Sequence, residues 1–98
     1  MNIHQEKQDT TLIVSLEGRL DTVTAPQLEK HLNSSLDGIT DLFLDFAALE
    51  YISSAGLRVL LSAQKRMNRQ GNMVIRHVNE VISEVLEMTG FADILTIE

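Results

Sequence analysis

A change of hydrophobic period near the middle of the chain constrains its fold more than any other feature. Residues 41–49, "DLFLDFAAL", are rich in Leu and Phe and apolar on both faces except at Asp45. That pattern predicts a central parallel strand buried on both sides. A few residues later the spacing turns helical, with Leu57, Leu60, Leu61 and Met67 placed inward on a helix from Ser54 to Arg69 that closes at Gly71. A strand that passes so quickly into a helix reads as half of a right-handed β-α-β unit.

The flanking segments extend this frame. "NIHQEK" and "TLIVSLEG" alternate around a turn at Gln8-Asp9, so they form a hairpin with Leu12, Val14 and Leu16 on one side and Ile13 on the other. Thr24 and Gln27 have capping-box spacing and Pro26 sits in the first turn. The helix they open, residues 25–36, turns Ala25, Leu28, Leu32 and Leu36 inward and ends at Gly38. "NMVIRHV" predicts a strand at 72–77, and Asn79 caps a third helix over 79–89 with Val81, Ile82, Val85 and Leu86 inward, ending at Gly90. "DILTIE" predicts a closing strand at 93–97. The expected fold is a single α/β domain over residues 1–98, a mixed sheet in the order ββαβαβαβ with helices packed on it.

Composition removes several functional classes. With 98 residues, 44% of them apolar, the chain holds one core. It has no cysteine, which excludes disulfides and thiolate chemistry and fits a reducing compartment. A net charge of −6 opposes nucleic acid. "MNIHQEKQDT" has no apolar run of a signal peptide, and no long apolar stretch suggests membrane insertion, so a cytoplasmic protein is expected.

Catalytic patterns are poor. His4, His31 and His77 lack ligand-like spacing, and "SAQK", Ser62 to Lys65, meets a Ser-x-x-Lys pattern by chance. Neither a nucleophile elbow nor a phosphate loop is present, so no enzyme activity, cofactor or metal is expected. Charge is more informative. Arg58, Ser62, Lys65 and Arg69 form a basic stripe with Arg66 beside it, and Glu80, Glu84 and Glu87 form an acidic one. Each reads either as a solvated face or as a docking surface.

"YISSAGLRVLL", residues 51–61, places Ser53, Ser54 and Gly56 where strand gives way to helix. The free N–H groups and dipole at that helix mouth welcome a serine cap, and they would hold a phosphate better still. Gly56 is a poor helix former, a cost that fits close approach of a partner to the backbone. Capping and phosphorylation both remain open on these grounds.

"LEGRLDTVTAPQLEKHL", "LFLDFAALEYISSAGLRVLL" and "GNMVIRHVNEVISEVLEMTGF" together resemble the STAS domain, specifically the small bacterial anti-sigma factor antagonists, along nearly the whole chain. The family's turn reads Asp-Ser-Ser/Thr-Gly-Leu, with the serine after the aspartate phosphorylated. The resemblance puts Ser53 at the aspartate, Ser54 at the phosphoacceptor, Ala55 at the next hydroxyl and Gly56-Leu57 at Gly-Leu. Asp21 and Asp45 match acidic positions that end the second and third strands. Ser53 is a departure that bears on kinase docking and is the less favoured acceptor.

The resemblance implies partner switching. The unphosphorylated protein binds an anti-sigma factor that is also a GHKL-type serine kinase, phosphorylation ejects it, and a metal-dependent serine phosphatase resets the switch. Expected partner contacts are Asp21, Ser53, Ser54, Gly56, Leu57, Arg58 and Lys65. The alternative is the STAS subunit of a lipid-trafficking ABC transporter, which grips its ATPase with the same helix mouth. A nucleotide-binding module is a third class.

Overall fold

A computed structural model describes residues 1–98. Strands β1 (Asn2–Gln8), β2 (Thr11–Leu20), β3 (Asp41–Ile52) and β4 (Asn72–Arg76) form one sheet in the order β1-β2-β3-β4. The β1–β2 pair is antiparallel, turning at Asp9, whose φ of 56° is left-handed. β2–β3 and β3–β4 are parallel. Helices α1 (Ala25–Ser35), α2 (Ser54–Gln70) and α3 (Glu80–Met88) supply the connections and the last layer. No helix is long and apolar enough to cross a membrane.

The core lies between the helices and one face of the sheet. Leu12, Val14 and Leu16 of β2, Leu42, Leu44 and Phe46 of β3, and Met73 and Ile75 of β4 meet Leu28 and Leu32 of α1, Leu60 and Met67 of α2, and Ile82 and Leu86 of α3 in a single buried cluster. Burying each such side chain contributes about 1.5–3 kcal/mol. The inward residues predicted for α1 are all buried, whereas α2 buries Leu57, Leu60 and Met67 and leaves Leu61 half-buried.

Several expectations are corrected. β3 is not covered on both sides: Phe43 is half-buried on an open face, where the Arg76 guanidinium stacks 3.9 Å from its ring centre. The apolar residues there form a strip (Ile13, Phe43, Val74) one residue wide, bounded by polar rows, so no second helix layer is needed. The final strand shrinks to a single bridge, Ile75 to Ile97, after a 3-10 turn at Phe91–Asp93. Val81 faces outward, since α3 turns only Ile82 and Leu86 fully inward.

The capping box at α1 does not form. Thr24 makes no cap hydrogen bond; its hydroxyl donates to the Arg19 carbonyl (2.7 Å) and accepts from the Asp21 amide (2.9 Å), while the Gln27 side chain reaches the Met1 carbonyl. Asn79 does cap α3, accepting from the Ile82 amide at 2.8 Å. Gly71 closes α2 for a steric reason. A β-carbon there would collide with the Thr40 carbonyl oxygen just before β3, so only glycine lets α2 pass into β4 at that point.

Candidate functional site at the mouth of helix α2

β2 and β3 run parallel and end together, Leu20 beside Ile52, which brings the 21–24 turn to residue 53; β4 ends earlier, with Arg76 beside Asp45, so residues 77–79 leave the sheet further back along β3. Ser53 leaves β3 in extended backbone (φ −106°, ψ 176°), and its amide donates to the Leu20 carbonyl at 2.9 Å. Its own carbonyl accepts from the Leu57 amide at 3.0 Å, which starts α2. Ser53 is thus the N-cap position and Ser54 the first helical residue.

The two hydroxyls meet different fates. Ser53 Oγ is buried and has no hydrogen-bond partner, so it caps nothing, and the expectation that a serine hydroxyl satisfies one of these amides is corrected. Ser54 is exposed. No side chain caps the helix, so its first amides have no side-chain acceptor, and the positive end of the α2 dipole lies at Ser54. An anion on the Ser54 side chain would meet those amides; the Ser53 hydroxyl is shut away from solvent.

Gly56 has a reason the sequence did not reveal. It is buried, and a β-carbon there would lie 2.7 Å from Leu20 Cγ and 2.9 Å from Ile52 Cγ1. The glycine therefore lets the first turn of α2 press on the ends of β2 and β3; it does not open the backbone to a visitor. Leu57 is also buried. Both were expected to touch a partner, and their packing inside the fold gives them a positioning role instead.

Asp21 organises the neighbouring turn. Its Oδ1 accepts from the Val23 amide (3.0 Å) and the Thr24 amide (3.1 Å), and its carbonyl accepts from the Ala25 amide. The Thr24 amide is the main cause of a carboxyl held below its ordinary range, with smaller help from Val23 and Arg19 against some desolvation. Asp21 is half-buried, and its Oδ1 is committed to this loop. Asp45, expected to end the third strand, lies inside β3 instead, paired with Ser15 and Arg76; burial pushes its carboxyl up, and His77 Nδ1, 2.9 Å away, and the Ala47 amide outweigh that and hold it low. His77 adopts a left-handed φ of 59° to make this contact.

The structure brings Asp21, Ser53 and Ser54 together, with exposed Arg58 one turn into α2. Lys65 is exposed but about 16 Å along the helix from Ser54, at 1.5 Å per residue. Arg58, Lys65 and Arg69 enter no ion pair, while Arg66 binds Asp37 at 2.6 Å. Sequence reasoning missed Val23, 85% exposed in the Asp21 turn, and Tyr51, whose ring lies 4.3 Å from the Arg19 guanidinium. No periodicity marks a lone valine in a turn. Tyr51 adjoins the double serine, and that adjacency was the available signal.

The model of the STAS domain matches residues 2–98. BtrV of Bordetella bronchiseptica is 37% identical over 99 residues, covering 99% of this chain and 85% of BtrV. The anti-sigma-B factor antagonist of Staphylococcus aureus is 30% identical over 97 residues, covering 97% of this chain and 90% of that protein. Among solved structures, the Bacillus cell fate determinant SpoIIAA in its phosphorylated form superposes with a TM-score of 0.76 at 16% identity, over 99% of this chain and 91% of SpoIIAA. A family match over nearly the whole chain and a relative at 37% identity agree, and the chain belongs to the STAS domain family.

Proposed function

We propose that this protein is a non-enzymatic anti-sigma factor antagonist that switches partners by phosphorylation of Ser54. The unmodified protein binds an anti-sigma factor with GHKL-type serine kinase activity and so relieves the sigma factor. Phosphate on Ser54 dissolves that complex, and a metal-dependent serine phosphatase restores it.

The observation that carries this reading is the contrast between two adjacent hydroxyls, one exposed on an uncapped helix mouth and one buried. The relationship to the S. aureus antagonist supplies the class of partner, and SpoIIAA, which shares the fold, exists in a phosphorylated form. The physics is consistent. A phosphoserine brings a charge of about −1.5 to −2. Free amides and Arg58 hold it in water, but a close-packed interface strips its hydration. A loss of about 3 kcal/mol weakens binding more than a hundredfold.

Incubation with the cognate kinase and ATP, followed by intact-mass and tandem mass spectrometry, tests this. One phosphate on Ser54 is expected, and none on Ser54→Ala, which should bind the anti-sigma factor constitutively. Ser54→Asp should stay folded and bind poorly. Phosphate confined to Ser53, or undiminished labelling of Ser54→Ala, defeats the proposal.

A further inference from the structure

Helix α3 carries more apolar surface than its own fold uses. Ile82 and Leu86 enter the core, yet Val81 is 58% exposed and Met88 is 80% exposed. Val85, half-buried, lies between them. The spacings of four and three put Val81, Val85 and Met88 on one face, about 100° round the helix from the core residues. Glu80, Glu84 and Glu87 form the next row, about 100° further on. All three are exposed, and none is in an ion pair.

The arrangement is fixed in place. The Asn79 side chain caps the helix through the Ile82 amide and donates to the Leu49 carbonyl at 2.9 Å. α3 therefore cannot roll to bury the second stripe without losing both bonds. An apolar stripe alone does not say what would cover it, but its unpaired acidic border does. An anionic membrane surface would be repelled by that border. The outward face of α2 in a second copy offers the right charge at Arg58, Lys65 and Arg69, but with Ser62 between them it has little apolar surface to match Val81 and Met88. What complements both rows is a segment that is apolar on one side and basic beside it.

We infer that the outward face of α3 is a second docking surface, and that its occupant is a basic amphipathic segment of another protein. Val81 and Met88 are the anchors, Val85 is the floor between them, and the three glutamates set orientation and association rate.

The test is titration of the full-length protein with a synthetic leucine-lysine amphipathic helix, followed by amide and methyl NMR shifts. Shifts should concentrate at Val81, Glu84, Val85 and Met88. Val81→Ser with Met88→Ser should weaken binding about tenfold or more, since each anchor is a buried apolar contact in the complex. Glu84→Lys with Glu87→Lys should weaken it at low salt, with the difference shrinking as salt rises. Glu6→Lys, on the distant β1 strand, should change nothing. All the substituted side chains are exposed, so an unchanged circular dichroism spectrum checks the fold. Any of four results would overturn the inference: shifts spread over every acidic surface, equal binding of a leucine-glutamate peptide, α3 signals lost on phosphatidylglycerol vesicles, or dilution-dependent α3 shifts without peptide, which would mean self-association.

Discussion

At the residue scale, adjacent positions at the mouth of α2 carry opposite burdens. Ser53 Oγ is buried without a partner. A buried hydroxyl in that state costs about 1–3 kcal/mol. Ser53→Ala should therefore leave stability unchanged or raise it by up to about 1 kcal/mol, where loss of a working cap would lower it by a similar amount. Ser54→Ala should stay within about 0.5 kcal/mol of the parent, because its exposed side chain caps nothing. Gly56→Ala behaves differently: its β-carbon meets Leu20 and Ile52 below 3.0 Å. Overpacking of this kind costs about 1–3 kcal/mol, and it tilts the turn that presents Ser54. Urea denaturation of the three variants checks all of this, and a Ser53→Ala variant destabilised by more than about 1 kcal/mol would restore the capping role. The sequence flagged Gly56 as costly in a helix, but its reason includes Leu20 on another strand, far along the chain, as well as nearby Ile52, and no local pattern contains that long-range contact.

At the element scale, the helices were readable because their apolar period is strong. The buried rows Leu28–Leu32–Leu36 and Leu57–Leu60–Met67 fall where the spacing put them. What failed were judgements about the environment beyond an element. "DILTIE" alternates like a strand, yet only Ile97 bridges to β4, because the 3-10 turn at Phe91–Asp93 uses up the length needed to align it. β3 looked buried on both faces since Phe43 is apolar, but its cover is the stacked Arg76. Val81 read as core because α3 carries two apolar rows and only the fold chooses between them. The basic row on α2 supports a prediction at this scale. Arg58, Lys65 and Arg69 are exposed and unpaired, so Arg58→Glu with Lys65→Glu should alter stability by less than about 1 kcal/mol. If α2 meets an acidic partner surface, the double variant should bind the anti-sigma factor more slowly, mainly at low salt and with little change in dissociation rate. Surface-resonance kinetics at two ionic strengths would show it, and equal association rates at low salt would make the row a solvated face.

At the scale of the whole molecule, two low carboxylates hold the parallel strands at different points: Asp21 in the turn after β2, and Asp45 inside β3 beside Arg76. Asp21 is kept low chiefly by the Thr24 amide, and Asp45 by His77 and the Ala47 amide against the opposing effect of burial. Both folded values lie below the ordinary aspartate range near about 3.9. The unfolded chain thus binds these protons more readily than the folded one does. The stabilisation is fully present above the unfolded value and is lost as pH falls through the folded values, so the window is the acid limb below about pH 5. Urea midpoints followed by circular dichroism should fall steadily from about pH 5 to about pH 2 with the m-value unchanged. Asp21→Asn and Asp45→Asn should each lower stability at neutral pH and flatten that acid limb, and the two effects should add because the sites share no partner. Asp21→Asn has a second consequence. Its carboxylate holds the Val23 amide in the turn, and the adjoining Leu20 carbonyl binds the Ser53 amide. Loosening that turn should reduce affinity for the anti-sigma factor at neutral pH, while Asp45→Asn, inside β3 and seven residues before its end at Ile52, should affect it less. Equal binding losses from the two variants would mean that affinity follows global stability, and Asp21 would then have no local part in presenting Ser54.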